Sequence, residues 1–137
     1  MFVIKAGIND ANAATFAFSE MKTMYGGKHI GKSDLIFIVA SENDGGAGLL
    51  ACGVITSAQP IPMQPELARQ TPRVSIVVQR TALAKRRLGQ TELKDFSNWE
   101  DGRPERALNF KFYRQATHKI GGISAEAVAV AFLRKFI

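Results

Sequence analysis

The chain has 137 residues, of which 46% are hydrophobic and 22% charged. This length and composition predict one globular domain over residues 1–137 and exclude an intrinsically disordered chain. No run approaches the roughly 20 apolar residues of a membrane-spanning helix, and Met1 to Lys5 lack the pattern of a signal peptide. A single cysteine, Cys52, excludes an internal disulfide and suits a reducing compartment. We therefore expect a soluble, cytoplasmic protein without membrane association.

The net charge of +6 is concentrated in the second part of the chain. Residues 1–60 carry four basic against five acidic side chains, whereas residues 61–137 carry fourteen against seven. A basic surface concentrates polyanions and speeds their capture, which makes nucleic acid the first partner to consider. The alternative is that such a charge is common in small basic domains and indicates no partner.

The first half of the chain predicts a strand, a helix and a hairpin. Residues 2–8 form a short apolar run typical of a strand. Ala14, Phe18, Met21 and Tyr25 recur at three- and four-residue steps, which predicts an amphipathic helix that ends at Gly26. The apolar runs 35–40 and 49–56 flank a turn-forming segment and predict a β-hairpin with a longer loop.

The second half predicts two further strands and a terminal helix. Four prolines between residues 60 and 72 mark an irregular crossing. The alternating patterns of 74–79 and 108–113 predict strands, while 81–99 is ambiguous. Ser124 is placed to cap a last helix. The predicted fold class is α+β: a small, barrel-like, mostly antiparallel sheet with helices at its ends.

The residue types that carry catalysis or bind metal are present but scattered. His29, His118 and Cys52 show no spacing typical of metal ligands, and Cys52 lies in an apolar run, where an inert buried thiol is expected. The glycine-rich segments 26–28 and 45–48 suit turns better than phosphate loops. The sequence therefore offers no positive case for catalysis, and we expect no catalytic residue, metal or cofactor.

The sequence resembles the PUA-like superfamily, and within it the EVE-type and ASCH-type domains. The segment from Lys32 to Ser41 is similar to the family's lysine, glycine, aspartate, apolar strand, aromatic and serine pattern, and Leu49 to Ile55 to the strand that follows. The segments from Tyr113 to Thr117 and from Ile123 to Glu126 are similar to its closing strand and serine-capped helix.

The resemblance implies a pseudo-barrel with a pocket at one end and a basic rim. EVE-like domains are associated with modified bases in DNA or RNA, and their YTH relatives read methylated adenine through an aromatic cage. Carried over, Ser41 lines the pocket and Trp99 is a candidate cage wall. Ser33 replaces the family's glycine, and Val39 stands where an aromatic residue is usual, which removes a stacking surface from the cage.

Two hypotheses follow. In the first, the chain is a non-catalytic nucleic-acid-binding module that recognises a modified or extruded base in RNA or DNA. Its base-pocket candidates are Ser41, Asn43, Trp99 and Tyr113, and its candidates for contact with the nucleic-acid backbone are Lys85, Arg86, Arg87, Arg103 and Arg114. In the second, the same pocket serves a small-molecule or protein-interaction module. The sequence leaves the choice between DNA and RNA and the oligomeric state open.

Overall fold

The computed structural model describes residues 1–96, 102–114, 117–133 and 136–137, with the backbone alone at 113, 114 and 133. Within these ranges six strands form a closed barrel in the order β1-β3-β4-β5-β2-β6. The strands are β1 (Phe2–Ala6), β2 (Thr15–Met24), β3 (Leu35–Ala40), β4 (Gly48–Pro60), β5 (Arg73–Leu83) and β6 (Lys119–Gly122). The α-helices of the described chain are α1 (Gln90–Leu93), α2 (Pro104–Leu108) and α3 (Ala125–Leu133).

The barrel mixes parallel and antiparallel neighbours. β1 pairs with β3, and β2 with β6, in parallel, whereas the other four pairs are antiparallel. Closure leaves none of these strands at a sheet edge. The predicted small, mostly antiparallel, barrel-like α+β fold is therefore confirmed, and so is the predicted hairpin, which is β3 and β4.

The segment predicted as the first helix is strand β2, so this prediction was wrong. Phe16 and Phe18 alternate into the barrel interior, as strand residues do. The pairing register with β5 then shifts between Phe18 and Met21, where Glu20 has a φ of 51°. Such a bulge inserts one extra residue into the strand. The three-residue step from Phe18 to Met21 comes from this insertion and not from a helical turn.

The segment predicted as a strand over 108–113 is helical, so this prediction was also wrong. Helix α2 continues into a π-helical turn at Asn109–Arg114. Leu108 and Phe112 are both buried and lie four residues apart, a spacing that fits a helix as well as a strand. Pro104 in the first turn, followed by Glu105, is a helix-start signal that identifies the element correctly.

Two apolar clusters lie on the two sides of the barrel wall. The interior is filled by buried side chains of all six strands, among them Ile4, Phe18, Ile38, Ile76 and Ile120. A second cluster covers the outer face of β1, β3 and β4, where Val3, Phe37, Val39, Leu49 and Cys52 pack against the helices. The helices therefore cover one outer face of the barrel, and outward-facing residues of β1 and β3 are buried beneath them.

The predicted terminal helix is confirmed as α3. Its cap is the predicted one, because the Ser124 side-chain oxygen accepts a hydrogen bond from the backbone N–H of Ala127 at 3.2 Å. Ala127, Val128 and Ala131 form its buried face. The short strand β6, which precedes α3, was not predicted from the sequence. Two of its four residues are glycine, which has a low strand propensity.

Candidate functional site

Two polar side chains are buried where the parallel strands β1 and β3 end. Lys5 is 6% exposed and Ser41 is 1% exposed. Lys5 lies beside Val39 in the β1–β3 register, and Ser41 follows Val39 by two residues on the same side of the sheet. The Ser41 N–H donates to the Ala6 carbonyl oxygen at 2.9 Å, which continues the parallel pairing. Because buried polar groups lose their hydration, such a pair indicates a functional position.

The segment before β6 completes this polar group. The Ser41 Oγ and the Thr117 Oγ1 lie 3.4 Å apart, and the N–H of His118 donates to the Lys5 carbonyl oxygen at 2.6 Å. Residues 117 and 118 are therefore held against the ends of both parallel strands. We call Lys5, Ser41 and Thr117 the rim site. Val39, which is fully buried, lies opposite Lys5 in the strand register.

The electrostatics of the rim site are set by burial of the Lys5 ammonium group. Loss of hydration lowers the pKa of Lys5, and the negative charge of Glu42 opposes this by raising it. Glu42 opens the 3₁₀ turn Glu42–Asp44, which follows Ser41 directly. The rim site therefore contains a desolvated amine under the influence of a nearby carboxylate, together with two hydroxyl groups that can donate or accept hydrogen bonds.

Glu42 also ties this end of β3 to helix α1. Its Oε1 accepts a hydrogen bond from the backbone N–H of Gln90 at 2.7 Å, and its Oε2 lies 3.6 Å from the Arg87 guanidinium. Arg87 in turn lies 3.2 Å from Glu92. Gly89 permits this close approach, because a Cβ there would lie 2.2 Å from the Glu42 Oε1. The turn after Ser41 is thus fixed by side-chain contacts as well as by its backbone.

The predicted base-pocket residues have different outcomes. Ser41 belongs to the rim site, and Asn43 lies exposed in the adjoining 3₁₀ turn. Tyr113 belongs to the π-helical turn, and its side chain is outside the described structure, as is the whole of Trp99. The structure thus brings Ser41 together with Lys5 and Thr117, while the pocket roles of Trp99 and Tyr113 stay predictions.

The predicted backbone-contact residues lie on the helical side of the molecule, and most have partners within the chain. Lys85, Arg86 and Arg87 line an open groove of about 320 Å³. Arg86 lies 4.3 Å from the centre of the Phe136 ring, and Arg87 contacts the carboxylates of Glu42 and Glu92. Arg103 lies 4.5 Å from the centre of the Phe96 ring. The side chain of Arg114 is outside the described structure.

Lys5, Thr117 and Glu42 were missed from the sequence. Lys5 had a usable signal, since it is a lysine inside the otherwise apolar strand Phe2–Ala6, all of which is buried. Thr117 and Glu42 had none, because their contacts join segments far apart in the chain. Across the described ranges, no three His, Cys, Asp or Glu side chains come together in a group that could hold a metal ion. None of the helices in these ranges is long and apolar enough to cross a membrane.

Comparison with known proteins finds similarity in structure only. No protein-family model matches the sequence, and no curated protein matches it. The crystal structure of human THYN1 in complex with 5-methylcytosine-containing DNA is similar, with a TM-score of 0.68 and 17% identity over 98% of this chain and 96% of that one. The crystal structure of the DUF55 domain of human thymocyte nuclear protein 1 is also similar, with a TM-score of 0.67 and 18% identity over 98% of this chain and 97% of that one.

A bacterial structure extends the likeness. A Pseudomonas putida protein gives a TM-score of 0.64 with 18% identity, over 98% of each chain. At these identities the likeness concerns the fold, and it spans almost the whole of every chain compared. The chain therefore shares the fold of the human DUF55 domain, which agrees with the barrel fold that the sequence resemblance implies.

Proposed function

We propose that this chain is a nucleic-acid-binding module that takes a modified or extruded base into the rim site. The observation that carries the proposal is the burial of the polar side chains of Lys5 and Ser41 at the ends of two parallel strands, with Lys5 opposite Val39 in the strand register and Ser41 next to Thr117. The similar human THYN1 structure, which contains 5-methylcytosine DNA, supports nucleic acid as the ligand class.

The chemistry of the rim site suits the edge of a base. Taking a base out of its stack costs a few kcal/mol, which hydrogen bonds to its edge and contacts with its faces must offset. The Lys5 ammonium can donate to carbonyl or ring-nitrogen acceptors, and the hydroxyls of Ser41 and Thr117 can donate or accept. Val39 is fully buried under the helices and supports the rim site from beneath. The aromatic walls of the pocket, with Trp99 and Tyr113 as candidates, belong to the same proposal.

The test compares binding of four labelled oligonucleotides of one sequence by fluorescence anisotropy: duplex and single-stranded DNA, each with and without a central 5-methylcytosine. We expect the wild-type affinity to fall steeply between 50 and 300 mM NaCl. Ser41→Ala is expected to reduce the preference for the modified duplex several-fold while leaving the salt dependence unchanged. The reason is that contacts with bases determine specificity, whereas contacts with phosphates position the nucleic acid. Ser57→Ala, a substitution of the same type on β4, is the control and is expected to bind as the wild type does.

Two outcomes contradict the proposal. Absence of binding to every oligonucleotide at both salt concentrations, repeated with RNA of the same sequence, would remove nucleic acid as the ligand class. Salt-independent binding of a free nucleoside, with no oligonucleotide binding, would favour the second hypothesis, a small-molecule module that uses the same site.

A further inference from the structure

Four cationic residues occupy neighbouring positions across four successive strands of the barrel. Lys5 of β1 pairs with Lys119 of β6, Lys119 pairs with Lys22 of β2, and Lys22 pairs with Arg73 of β5. We call Lys5, Lys119, Lys22 and Arg73 the cation row. Strands in a sheet lie about 4.8 Å apart, so the row extends over roughly 14 Å. Like charges in directly opposite positions oppose pairing, which makes the row a costly arrangement for the fold alone.

The alternation of side chains places the whole row on the outside of the barrel. The neighbours Ile4, Ile120 and Val74 belong to the interior cluster, and successive strand residues point to opposite faces. Lys22 and Arg73 are exposed, Lys119 is half-buried and Lys5 is buried at the rim site. The row therefore runs from open solvent into the rim site.

Two grooves that share lining residues lie along the row. The first, of about 390 Å³, is lined by Lys22, Arg73 and Lys119 and also by Thr117, which contacts Ser41 of the rim site. The second, of about 460 Å³, shares Lys22 and Arg73 and adds the exposed Arg69. Glu20 lines both grooves and is their one acidic residue, against the four cations Lys22, Arg69, Arg73 and Lys119 among the described lining residues.

We infer that these grooves hold the sugar-phosphate backbone of the nucleic acid whose base enters the rim site. The inference rests on the proposed function and adds the path of the strand, which differs from the predicted Lys85–Arg87 surface. Phosphates of one duplex strand follow one another by about 3.4 Å along the helix axis, so the row is long enough to face more than one of them. Because Thr117 lines the first groove and contacts Ser41, a strand in that groove would lie next to the rim site.

Contacts within the chain favour the two grooves over the predicted Lys85–Arg87 surface as the path of the nucleic-acid backbone. On the Lys85–Arg87 surface, Arg87 is already engaged by two carboxylates and Arg86 by an aromatic ring. Among the groove cations, Arg73 donates from Nη1 to the backbone oxygen of Glu20, a contact that leaves its charge uncompensated by a carboxylate. The grooves thus present the exposed charges of Lys22, Arg69 and Arg73 to a phosphate strand.

The experiment compares three double variants with the same loss of charge. Lys22→Gln/Arg69→Gln removes two exposed groove cations, Lys85→Gln/Arg86→Gln changes the predicted surface, and Lys28→Gln/Lys32→Gln removes two exposed lysines elsewhere. Affinity for the modified and unmodified duplexes is measured over a series of salt concentrations, and thermal unfolding checks that each variant is folded.

We expect Lys22→Gln/Arg69→Gln to weaken binding of both duplexes by the same factor, roughly tenfold at low salt, with the slope of log K against log salt reduced by about 1.8. The other two double variants are expected to stay within about twofold of the wild type at low salt. Equal losses in all three variants would mean that net charge alone matters. An unaffected groove variant beside a weakened Lys85→Gln/Arg86→Gln would place the backbone on the other surface. Either result overturns the inferred path of the backbone while the proposed function stands. A wild-type protein that binds no nucleic acid would contradict both the path and the proposed function.

Discussion

Lys5 and Lys119 occupy directly opposite positions in the antiparallel pair of β1 and β6. Opposite positions in a ladder normally avoid like charges, and burial lowers the pKa of Lys5 because the ammonium form loses hydration. The fold thus keeps a desolvated ammonium group opposite a second lysine. Such a stability cost is expected where a residue serves binding.

Replacing Lys5 should therefore stabilise the protein and weaken binding. We expect Lys5→Met to raise the free energy of unfolding at pH 7 by about 1 kcal/mol, because the desolvation of the Lys5 ammonium group outweighs its attraction to Glu42. Nucleic-acid affinity should fall roughly tenfold, the loss of one charged hydrogen bond. Urea denaturation and anisotropy titration measure the two effects.

The gain in stability from Lys5→Met should depend on pH with a definite sign. The folded-state pKa of Lys5 lies below the ordinary value of 10.5, so between the two values the unfolded chain binds more protons and wild-type stability rises with pH. The advantage of Lys5→Met should thus be largest at neutral pH and shrink as the pH rises through the folded-state pKa of Lys5. Lys32→Met, at an exposed position, is the control. An advantage that grows with pH would contradict the burial of a charged Lys5.

Ser33→Gly should stabilise the turn before β3. Ser33 has a φ of 76°, in the left-handed region that favours glycine, and its N–H donates to the Ile55 carbonyl oxygen at 2.7 Å. Because a residue with a Cβ is strained by about 1–2 kcal/mol there, we expect Ser33→Gly to raise the free energy of unfolding by about 1 kcal/mol. Ser33→Ala keeps the strain and should give no gain in the same denaturation experiment; an equal gain would assign the effect to loss of the hydroxyl.

Ser33 also shows what the sequence could reveal. Its difference from the family pattern, which has glycine there, marks a position of positive φ that no periodicity in this chain indicates. Hairpin β3–β4 and helix α3 were predictable because their signals are local: an apolar run beside a turn segment, and a serine that caps a helix. The barrel-like sheet was predicted from the order of the elements, and the resemblance implied the same fold.

The two elements that were predicted wrongly have physical explanations. The bulge in β2 gave a strand the spacing of a helix, and the π-helical turn after α2 carries apolar residues at a spacing that both structures share. The rim site joins residues 5, 41 and 117, and the cation row joins four strands, so neither follows from any window of sequence. Of the site, only Ser41 was predicted, through the family pattern.

Gly48 marks a close approach between β4 and the segment before α1, and substitution there should be costly. It has a φ of 90°, and a Cβ would lie 2.4 Å from the Leu88 carbonyl oxygen. We expect Gly48→Ala to lower the free energy of unfolding by about 3 kcal/mol, from backbone strain together with steric overlap.

Gly45→Ala is the matched control for Gly48→Ala. Gly45 has a similar φ of 85° but no neighbouring atom within 4 Å of its added Cβ. It should cost only the backbone strain, about 1 kcal/mol. The difference between the two variants in chemical denaturation measures the close approach at Leu88. Equal losses would show that the segment before α1 can move away from β4 at little cost.

Thr117 belongs to the rim site and also lines the groove along the cation row. Its hydroxyl should therefore influence the preference for a modified base and leave the contacts with the nucleic-acid phosphates unchanged. Its Oγ1 lies 3.4 Å from the buried Ser41 Oγ, and the residue also lines the groove beside Lys119. Thr117→Val keeps the shape and removes the hydroxyl. We expect the preference for a modified over an unmodified duplex to fall about three- to tenfold, the effect of one neutral hydrogen bond, with an unchanged salt slope.

Thr117→Ser keeps the hydroxyl and should retain the preference for the modified duplex, which separates hydrogen bonding from packing. The double variant Ser41→Ala/Thr117→Val should lose little more than either single variant, because residues in contact are coupled and their effects do not add. Additive losses would mean that the two hydroxyls act on the ligand independently. A reduced salt slope in Thr117→Val would instead place Thr117 among the phosphate contacts, since only a lost ionic contact changes the number of counterions released.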